Sequence, residues 1–170
     1  MPRAKGQGPP IMKGYFGIGV EGISKPMNLG ALARTAHAFD AAFVFTVAAA
    51  FDRHQANLAD TSDASQSVPI YDWPTIDAMQ LPLGCTLVGI ELTDDAIDLP
   101  RFRHPRAAAY VLGPERGSLS PAMQALCKFV IKIPTKFCIN VSLAGALVMY
   151  DRVLSMRTHD ARPILPGGTP

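Results

Sequence analysis

The chain has 170 residues, 48% of them hydrophobic and 18% charged, a composition that is typical of one compact domain and excludes a disordered protein. Its net charge of +2 at pH 7 is too small to predict nucleic-acid binding, so only a local cluster of cations could support that function. Three cysteines without C-x-x-C spacing, four scattered histidines and the lack of a long apolar run predict a reducing cytoplasm, no metal site and no membrane segment.

The pattern of the sequence predicts strands and helices that alternate between two loose ends. Residues 1–13, rich in Gly, Pro and basic side chains, and residues 159–170 are predicted flexible tails around one domain at 14–158. Strands are predicted at 15–20, 42–47, 68–71, 86–91, 107–112 and 129–133, and helices at 28–39, 74–80, 120–126 and 141–156. Because the strands are continuous apolar runs, this alternation predicts an α/β fold with a largely parallel sheet flanked by helices. Ligands of such sheets bind beyond the carboxyl ends of the strands.

Three glycines near the first predicted strand match the dinucleotide-binding spacing G-x-G-x-x-G. Gly17, Gly19 and Gly22 are followed by Asp40 at about the distance expected for an acid that binds ribose. The glycines lie partly inside the predicted strand, however, and a helix that began at Gly22 would meet Pro26 almost at once. We therefore interpret them as glycines of a tightly packed strand and turn, with a small-molecule oxidoreductase as a remote alternative.

The segment NLGALARTA at 28–36 supplies the first candidate site. Asn28 is a residue type preferred at helix N-caps, and Gly30 permits close approach of a backbone or a ligand. Arg34 is a permanent cation with a planar fork of donors, predicted beside the buried stripe of the helix. A site for a phosphate or ribose and an ordinary amphipathic helix with a solvated arginine explain these residues equally well.

Two later strands also lead into polar segments. Glu115 follows the strand at 107–112 and is predicted at the open end of the sheet, where an exposed turn with an ion pair is the alternative. A short loop after 129–133 leads to a helix capped near Asn140, whose small residues predict close contact in the core or at a dimer interface. Cys138 has no histidine near it in sequence, so we interpret it as a packed or cofactor-lining thiol rather than a nucleophile.

Taken in this order, the three segments resemble the signature motifs of the SpoU/TrmH branch of the SPOUT RNA methyltransferases. The first motif is N-x-G-x-x-x-R, the second is a strand that ends in G-P-E, and the third is I-P followed by a loop and S-x-N-V-S. This sequence carries them as Asn28, Gly30 and Arg34; Gly113, Pro114 and Glu115; and Ile133, Pro134, Cys138, Asn140, Val141 and Ser142. The resemblance covers nearly all of 14–157.

The resemblance implies a SPOUT fold whose C-terminal trefoil knot cradles S-adenosylmethionine. It also implies a homodimer in which the active site borrows residues across the interface, and methyl transfer to a ribose 2′-hydroxyl in tRNA or rRNA. The residues that it implies are Asn28, Arg34, Glu115 and Asn140 in the active site, and Ile90, Gly113, Ile133, Cys138 and Ile139 around the cofactor, chiefly through backbone groups.

Each active-site residue is expected to have its own task. A guanidinium keeps its proton at neutral pH, so Arg34 is expected to grip the phosphate next to the target ribose rather than act as a base. Asn28 and Asn140 are expected to fix loops, and Glu115 to orient Arg34 or a neighbouring donor.

The third motif departs from the family pattern at two points. Cys138 stands where serine is usual and donates hydrogen bonds weakly, and the loop from Ile133 to Cys138 is shorter than the common pattern and lacks its glycine. The adenine pocket is therefore expected to differ in detail.

RNA recognition is expected to use a basic segment and the N-terminal tail. The clearest cluster of basic residues comprises Arg101, Arg103, His104, Arg106 and then Arg116, with Lys128, Lys132 and Lys136 further along the chain. A solvated basic face is the commoner explanation of such a cluster. RNA stem-loops are favoured over long duplexes, with salt-sensitive binding. The alternative function is a catalytically inactive RNA-binding or assembly module with the same fold, against which the four retained active-site residues argue.

Overall fold

A sheet of seven strands forms the centre of the part of the chain that the structure describes. The computed structural model describes residues 14–51 and 68–156, so the predicted tails at 1–13 and 159–170 and the polar segment 52–67 lie outside it. The strands are β1 Tyr15–Glu21, β2 Phe43–Val47, β3 Ile70–Trp73, β4 Thr86–Ile90, β5 Ile97–Asp98, β6 Ala107–Leu112 and β7 Phe129–Lys132. The helices are α1 Pro26–Ala38, α2 Pro121–Leu126 and α3 Val141–Ser155, with one 3-10 turn at Leu99–Arg101.

Every strand pair runs parallel, in the order β3-β2-β1-β6-β4-β7-β5. The predicted α/β fold with a parallel sheet flanked by helices is therefore confirmed. All the strands end at one side of the sheet, the carboxyl edge, and begin at the other, the amino edge. Each strand exit that the sequence singled out consequently lies at the carboxyl edge.

The two faces of the sheet bury separate cores because side chains alternate along each strand. Ile18 and Val20 of β1 face helices α1 and α3. On the opposite face, Ala109 and Val111 of β6 pack with Met123 of α2. Since both faces are covered, the central strands are apolar at successive positions rather than at alternate ones.

Helices α1 and α3 are in close contact at Gly145. This glycine is buried, and a methyl group added to it would lie 2.5 Å from Cδ1 of Leu32. Ala144 and Val148 are buried in the same core. The small-residue face of α3 therefore belongs to the core, which is one of the two alternatives that the sequence left open.

The glycine run of β1 serves packing. A side chain at Gly17 or Gly19 would overlap the ring of Phe43 or Phe45 on the neighbouring strand, and Gly22 turns the chain with a φ of +66°. The interpretation as strand and turn glycines is confirmed, and the oxidoreductase alternative loses its only support.

Helix α1 begins at Pro26, two residues earlier than predicted. A proline fits the first position of a helix because the N–H that it lacks has no partner there. Lys25 is the N-cap and makes no side-chain capping hydrogen bond. The predicted N-cap position of Asn28 is wrong, and its side chain is free for a distant partner.

The predicted helix at 74–80 is also wrong. The segment forms turns in which the N–H of Ala78 donates to the carbonyl of Thr75 at 3.2 Å and that of Met79 to Ile76 at 3.0 Å. The hydroxyl of Thr75 also accepts from the N–H of Ala78 at 3.3 Å, a local bond that favours a turn over a continued helix. The apolar side chains of the segment pack against the α2 side of the sheet instead.

Two strands differ in extent from the pattern. Strand β3 begins at Ile70, two residues later than the predicted start at 68. Pro69 has no N–H that it could donate to a neighbouring strand. Strand β5 was not predicted, since two residues are too few to show an alternation.

A buried arginine ties three segments together at the amino edge. Nη1 of Arg152 donates to the carbonyl of Pro105 at 2.6 Å and to the hydroxyl of Tyr110 at 3.1 Å. Its Nη2 donates to the carbonyls of Arg106 at 2.8 Å and Tyr15 at 3.3 Å. The Arg152 side chain is only 4% exposed, so these hydrogen bonds fix the start of β1 and β6 against the end of α3.

His104 extends this network. Its Nδ1 lies 2.5 Å from the Tyr110 hydroxyl and its Nε2 lies 2.8 Å from Asp151 Oδ2. Burial lowers the pKa of His104 although Asp151 opposes the effect, and burial raises the pKa of Tyr110 to about 12. The phenol therefore stays protonated at neutral pH.

Within the described ranges, no helix is both long enough and apolar enough to span a bilayer.

Candidate active site

The three motif segments converge at the carboxyl edge. The first is the start of α1, which follows β1; the second is the loop after β6; the third is the loop between β7 and α3. Strands β1 and β6 are neighbours, so the first two segments are adjacent. The third is brought to them by the packing of α3 against α1.

The carboxylate of Glu115 is the centre of the hydrogen bonds at this edge. Its Oε2 accepts from the backbone N–H of Ser24 at 3.0 Å and from the Ser24 hydroxyl at 2.9 Å. Its Oε1 accepts from the N–H of Lys25 and from Nδ2 of Asn28, each at 3.0 Å. Burial alone would raise the pKa of Glu115, but the hydrogen bonds from Ser24 and Asn28 outweigh it and lower the pKa to about 2. Glu115 is therefore ionised at neutral pH and holds the start of α1.

Because its pKa is depressed, Glu115 should make the stability of the protein depend on pH. Its hydrogen bonds stabilise the fold fully above the ordinary carboxyl pKa of 4.5, and this contribution is lost as the pH falls towards about 2. We expect Glu115→Gln to unfold at lower urea concentration than the unmodified protein at pH 7, with a difference that shrinks below pH 4.5. Urea titrations over this pH range measure the effect, and a difference independent of pH would contradict it.

Asn28 and Asn140 complete a chain of side chains across the three motifs. Nδ2 of Asn140 donates to Oδ1 of Asn28 at 3.4 Å, while Asn28 donates to Glu115. Oδ1 of Asn140 accepts from the N–H and hydroxyl of Ser142 at 2.9 and 2.6 Å, which confirms Asn140 as the N-cap of α3. The Asn140 side chain thus caps the start of α3 and is also hydrogen-bonded to α1. These hydrogen bonds tie the loops together, and the active-site role of the two asparagines stays a prediction.

Arg34 lies apart from this chain of hydrogen bonds. It is exposed, and six residues along α1 from Asn28 correspond to a rotation of about 240°, so the two side chains leave the helix in different directions. Within the described residues, Arg34 has neither a hydrogen bond nor an ion pair. Of the two donors proposed for Glu115, the structure supplies the neighbouring one, Asn28, and does not bring Arg34 to it.

A cleft opens beside the network at the same edge. All five residues predicted to surround the cofactor line it: Ile90, Gly113, Ile133, Cys138 and Ile139. Pro114 lines the cleft as well, so the next residue, Glu115, joins the cleft to the hydrogen-bonded chain. The cleft and the polar network are two parts of one site.

The lining of the cleft fits an adenosyl group. Isoleucine and alanine side chains give it apolar walls that suit a flat purine, and the loops that border it offer backbone groups. Gly113 has no room for a side chain, since an added methyl group would lie 2.8 Å from the nitrogen of Leu119. Gly113 is therefore needed for the close packing of this loop beside the cleft.

The short third loop is held by a threonine rather than by the glycine of the common pattern. The hydroxyl of Thr135 donates to the carbonyl of Phe137 at 2.9 Å, and its N–H donates to the carbonyl of Ile133 at 2.8 Å. These bonds curl the loop beside the cleft and leave Cys138 exposed at its border. No histidine contact to Cys138 is found in the described residues, consistent with a lining role.

Sequence reasoning missed several residues of the site. Ser24 gives Glu115 two of its donors, and Glu91 and Thr135 line the cleft. The available signal for Glu91 was a charged residue directly after a buried strand. No local pattern marks Ser24, because its partner lies 91 positions away.

The basic segment expected to bind RNA is not at the cleft. Arg106 directly precedes β6 and lies at the amino edge, and Arg101 and Arg103 lie on the connection that leads there. Among the described residues, Lys25, Arg116 and Lys136 are exposed cations at the carboxyl edge, one on each motif loop. Arg116 and Lys136 belong to the basic cluster that the sequence indicated, whereas Lys25 was not part of it.

The chain belongs to the SpoU rRNA Methylase family, whose model matches residues 16–150. A curated relative is the mouse (Mus musculus) tRNA (guanosine(18)-2'-O)-methyltransferase TARBP1, which is 30% identical over 139 residues. The matched part is 76% of this chain and 9% of the mouse protein, so the chain spans only a small part of that relative.

Solved structures show the same fold. The SpoU methyltransferase AviRb from Streptomyces viridochromogenes, in complex with the cofactor AdoMet, superposes with a TM-score of 0.74 at 21% identity, over 89% of this chain and 61% of that chain. A structure described as giving insights into the 2-OH methylation of C/U34 on tRNA superposes with a TM-score of 0.71 at 20% identity, over 88% and 93% of the two chains. The trefoil knot implied by the sequence resemblance stays a prediction.

Across 14–51 and 68–156, no three His, Cys, Asp or Glu side chains are grouped so that they could hold a metal ion.

Proposed function

We propose that this protein transfers a methyl group from S-adenosylmethionine to a ribose 2′-hydroxyl of tRNA or rRNA. The observation that carries the proposal is the continuous hydrogen-bonded chain from Glu115 through Asn28 to Asn140, beside a cleft lined by every residue expected to surround the cofactor. Membership of the family supports RNA methylation. The name of the mouse relative supports the ribose 2′-oxygen and tRNA, and the AdoMet complex of AviRb supports the cofactor.

The residues of the site then have distinct tasks. The cofactor supplies an already activated methyl group, so the protein has to align the 2′-oxygen with it and let the hydroxyl proton leave. Glu115 and Asn140 hold the three loops around the cleft, and Arg34 binds the phosphate next to the target ribose. The proton leaves to that phosphate or to water, since a guanidinium does not accept it.

An exposed apolar stripe on α3 supports a homodimer. Leu143, Leu147, Tyr150 and Leu154 are between 37% and 60% exposed and recur at intervals of four, three and four residues, which places them within roughly 60° on one side of the helix. Four large apolar side chains in a row are typical of a protein interface. The opposite side of α3 is the core side, so a second copy can cover the stripe without disturbing the fold.

The position of Arg34 supports the same assembly. In its own protomer the guanidinium points away from the Glu115 network and is free of partners among the described residues. In a dimer, Arg34 of one protomer can act at the cleft of the partner protomer. The exposed Lys25, Arg116 and Lys136 around each cleft then provide contacts for the phosphates of bound RNA.

Charges placed in the α3 stripe should separate the protomers. We expect Leu147→Arg combined with Leu154→Arg to sediment as an 18.2 kDa monomer and to lose methylation, while its circular dichroism is unchanged. Leu126→Arg is the matched control, because Leu126 is 54% exposed but lies on α2. Analytical ultracentrifugation decides the question. An unmodified protein that sediments as a monomer, or a double variant that stays dimeric, would contradict the proposed interface.

The reaction itself is tested with S-adenosylmethionine labelled in its methyl group and with tRNA and rRNA transcripts. The expected product is a 2′-O-methylated nucleoside, identified by mass spectrometry and by an adjacent linkage that resists alkali. Label in a base would contradict ribose specificity. Binding of RNA without any transfer would favour the inactive RNA-binding module, which the intact side-chain network argues against.

The three cysteines are free, which supports a reducing compartment such as the cytoplasm.

A further inference from the structure

Two carboxylates grip the loop after β6 from opposite sides. Glu21 ends β1 and Glu91 follows β4, and these two strands are the neighbours of β6 in the sheet. The loop between them carries Gly113, Pro114 and Glu115. Its position therefore depends on both acids.

Glu91 and Glu21 accept hydrogen bonds from adjacent residues at the end of this loop. Oε2 of Glu91 accepts from the N–H of Leu119 at 2.7 Å, and its Oε1 accepts from the N–H of Leu92 at 3.0 Å. Oε1 and Oε2 of Glu21 accept from the hydroxyl and the N–H of Ser120 at 2.6 and 2.8 Å. Since both acids bind backbone N–H groups at the start of α2, they do the same structural task.

They differ in what else they face. Glu21 is only 8% exposed and is not part of the cleft lining. Glu91 is half-buried and borders the cleft, and a methyl group added to Gly113 would lie 3.5 Å from its Oε2. The carboxylate of Glu91 thus lies beside Gly113, and both residues line the cleft.

No cation neutralises Glu91 within the described part of the chain. The nearby ammonium of Lys132 donates to the carbonyls of Thr93 and Asp94 at 2.9 and 3.0 Å and forms no ion pair with it. Its partners are uncharged N–H groups. The wall of the cleft therefore carries a fixed negative charge in a partly desolvated place, where charge interactions are less screened than in water.

We infer that Glu91 determines the preference of the cleft for the positively charged methyl donor over its neutral product. This rests on the proposed function: S-adenosylmethionine carries a sulfonium, whereas S-adenosylhomocysteine has an uncharged thioether and is otherwise the same apart from the methyl group. A carboxylate in the wall attracts the first more than the second. Once the methyl group has left, this attraction is lost and the neutral product is bound less tightly than the donor.

The test compares two conservative variants by isothermal titration calorimetry with both compounds. We expect Glu91→Gln to lower the ratio of S-adenosylmethionine to S-adenosylhomocysteine affinity by about fivefold to tenfold, chiefly through weaker binding of the charged compound. Glu21→Gln is the matched control and should leave the ratio within about twofold. Sinefungin, which carries a protonated amine in place of the sulfonium, should follow S-adenosylmethionine. Melting curves establish that each variant is folded.

The Glu91→Asp variant separates the effect of the negative charge from the effect of the hydrogen bonds that hold the loop. It keeps the carboxylate but shortens it, so the affinity ratio should stay near that of the unmodified protein even if both affinities fall. An unchanged ratio in Glu91→Gln, or an equal change in Glu21→Gln, would overturn the inference. An unmodified protein that binds neither compound would instead refute the proposed function.

Discussion

Replacing Arg34 by alanine is expected to lower the rate of methyl transfer by about a hundredfold to a thousandfold while the Kd for S-adenosylmethionine changes less than about twofold. The reason is that Arg34 is exposed and does not line the cleft of its own protomer, so we expect it to serve the RNA and not the cofactor. Single-turnover rates and calorimetry measure the two quantities. His37→Ala, an exposed neighbour on α1, is the control and should leave both unchanged. A fully active Arg34→Ala variant would sink the assignment, whereas retention of activity in Arg34→Lys would show that charge alone suffices.

Mixed dimers can show which protomer Arg34 serves. Neither Arg34→Ala nor Glu115→Ala is expected to be active alone. If the arginine acts in the partner's site, a mixed dimer has one intact site, and random pairing of equal amounts should restore about a quarter of the activity. If it acts in its own protomer, every site carries a defect and the mixture stays inactive.

Replacing Arg152 by methionine is expected to lower the free energy of unfolding by about 3–5 kcal/mol. The substitution leaves the carbonyls of Tyr15, Pro105 and Arg106 without their buried donor. Urea titration measures the loss, and Arg103→Met, at an exposed site, should cost less than about 0.5 kcal/mol.

The effect of Arg152 should be confined to stability. The amino edge and the cleft are separated by the length of a strand, roughly 15–20 Å, so cofactor affinity should be unchanged below the unfolding transition. Arg152→Lys should recover only part of the stability, because an ammonium cannot reach all the acceptors of a planar fork. A loss below about 1 kcal/mol in Arg152→Met would contradict the structural role.

The fold class could be predicted from the sequence because the signals for strands and helices are local. Apolar runs of strand length and the caps Ser120 and Asn140 are short-range signals, and both caps are confirmed. Asn28 shows where such reasoning ends. The residue lies in the candidate site, but its expected role as a cap is wrong because its partner, Glu115, lies 87 positions away.

The parts of the site that escaped prediction share this cause. The Ser24 contacts to Glu115 and the Glu91 contact to Leu119 join loops that only the sheet order brings together. Arg152 donates to the carbonyl of Tyr15, 137 positions earlier in the chain, and no residue near Arg152 in sequence indicates this partner.

The position of β6 in the sheet has a consequence for how the chain acquires its structure during synthesis. Strand β1 can pair with β2 soon after both are synthesised. Its other edge stays unpaired until β6 is synthesised, since Tyr15 pairs with Ala107. Until then the nascent chain exposes an unpaired apolar strand border that can join the wrong partner. Such long-range pairing slows folding, so the yield of active protein should depend on the pace of translation and on the supply of chaperones more than its final stability would suggest.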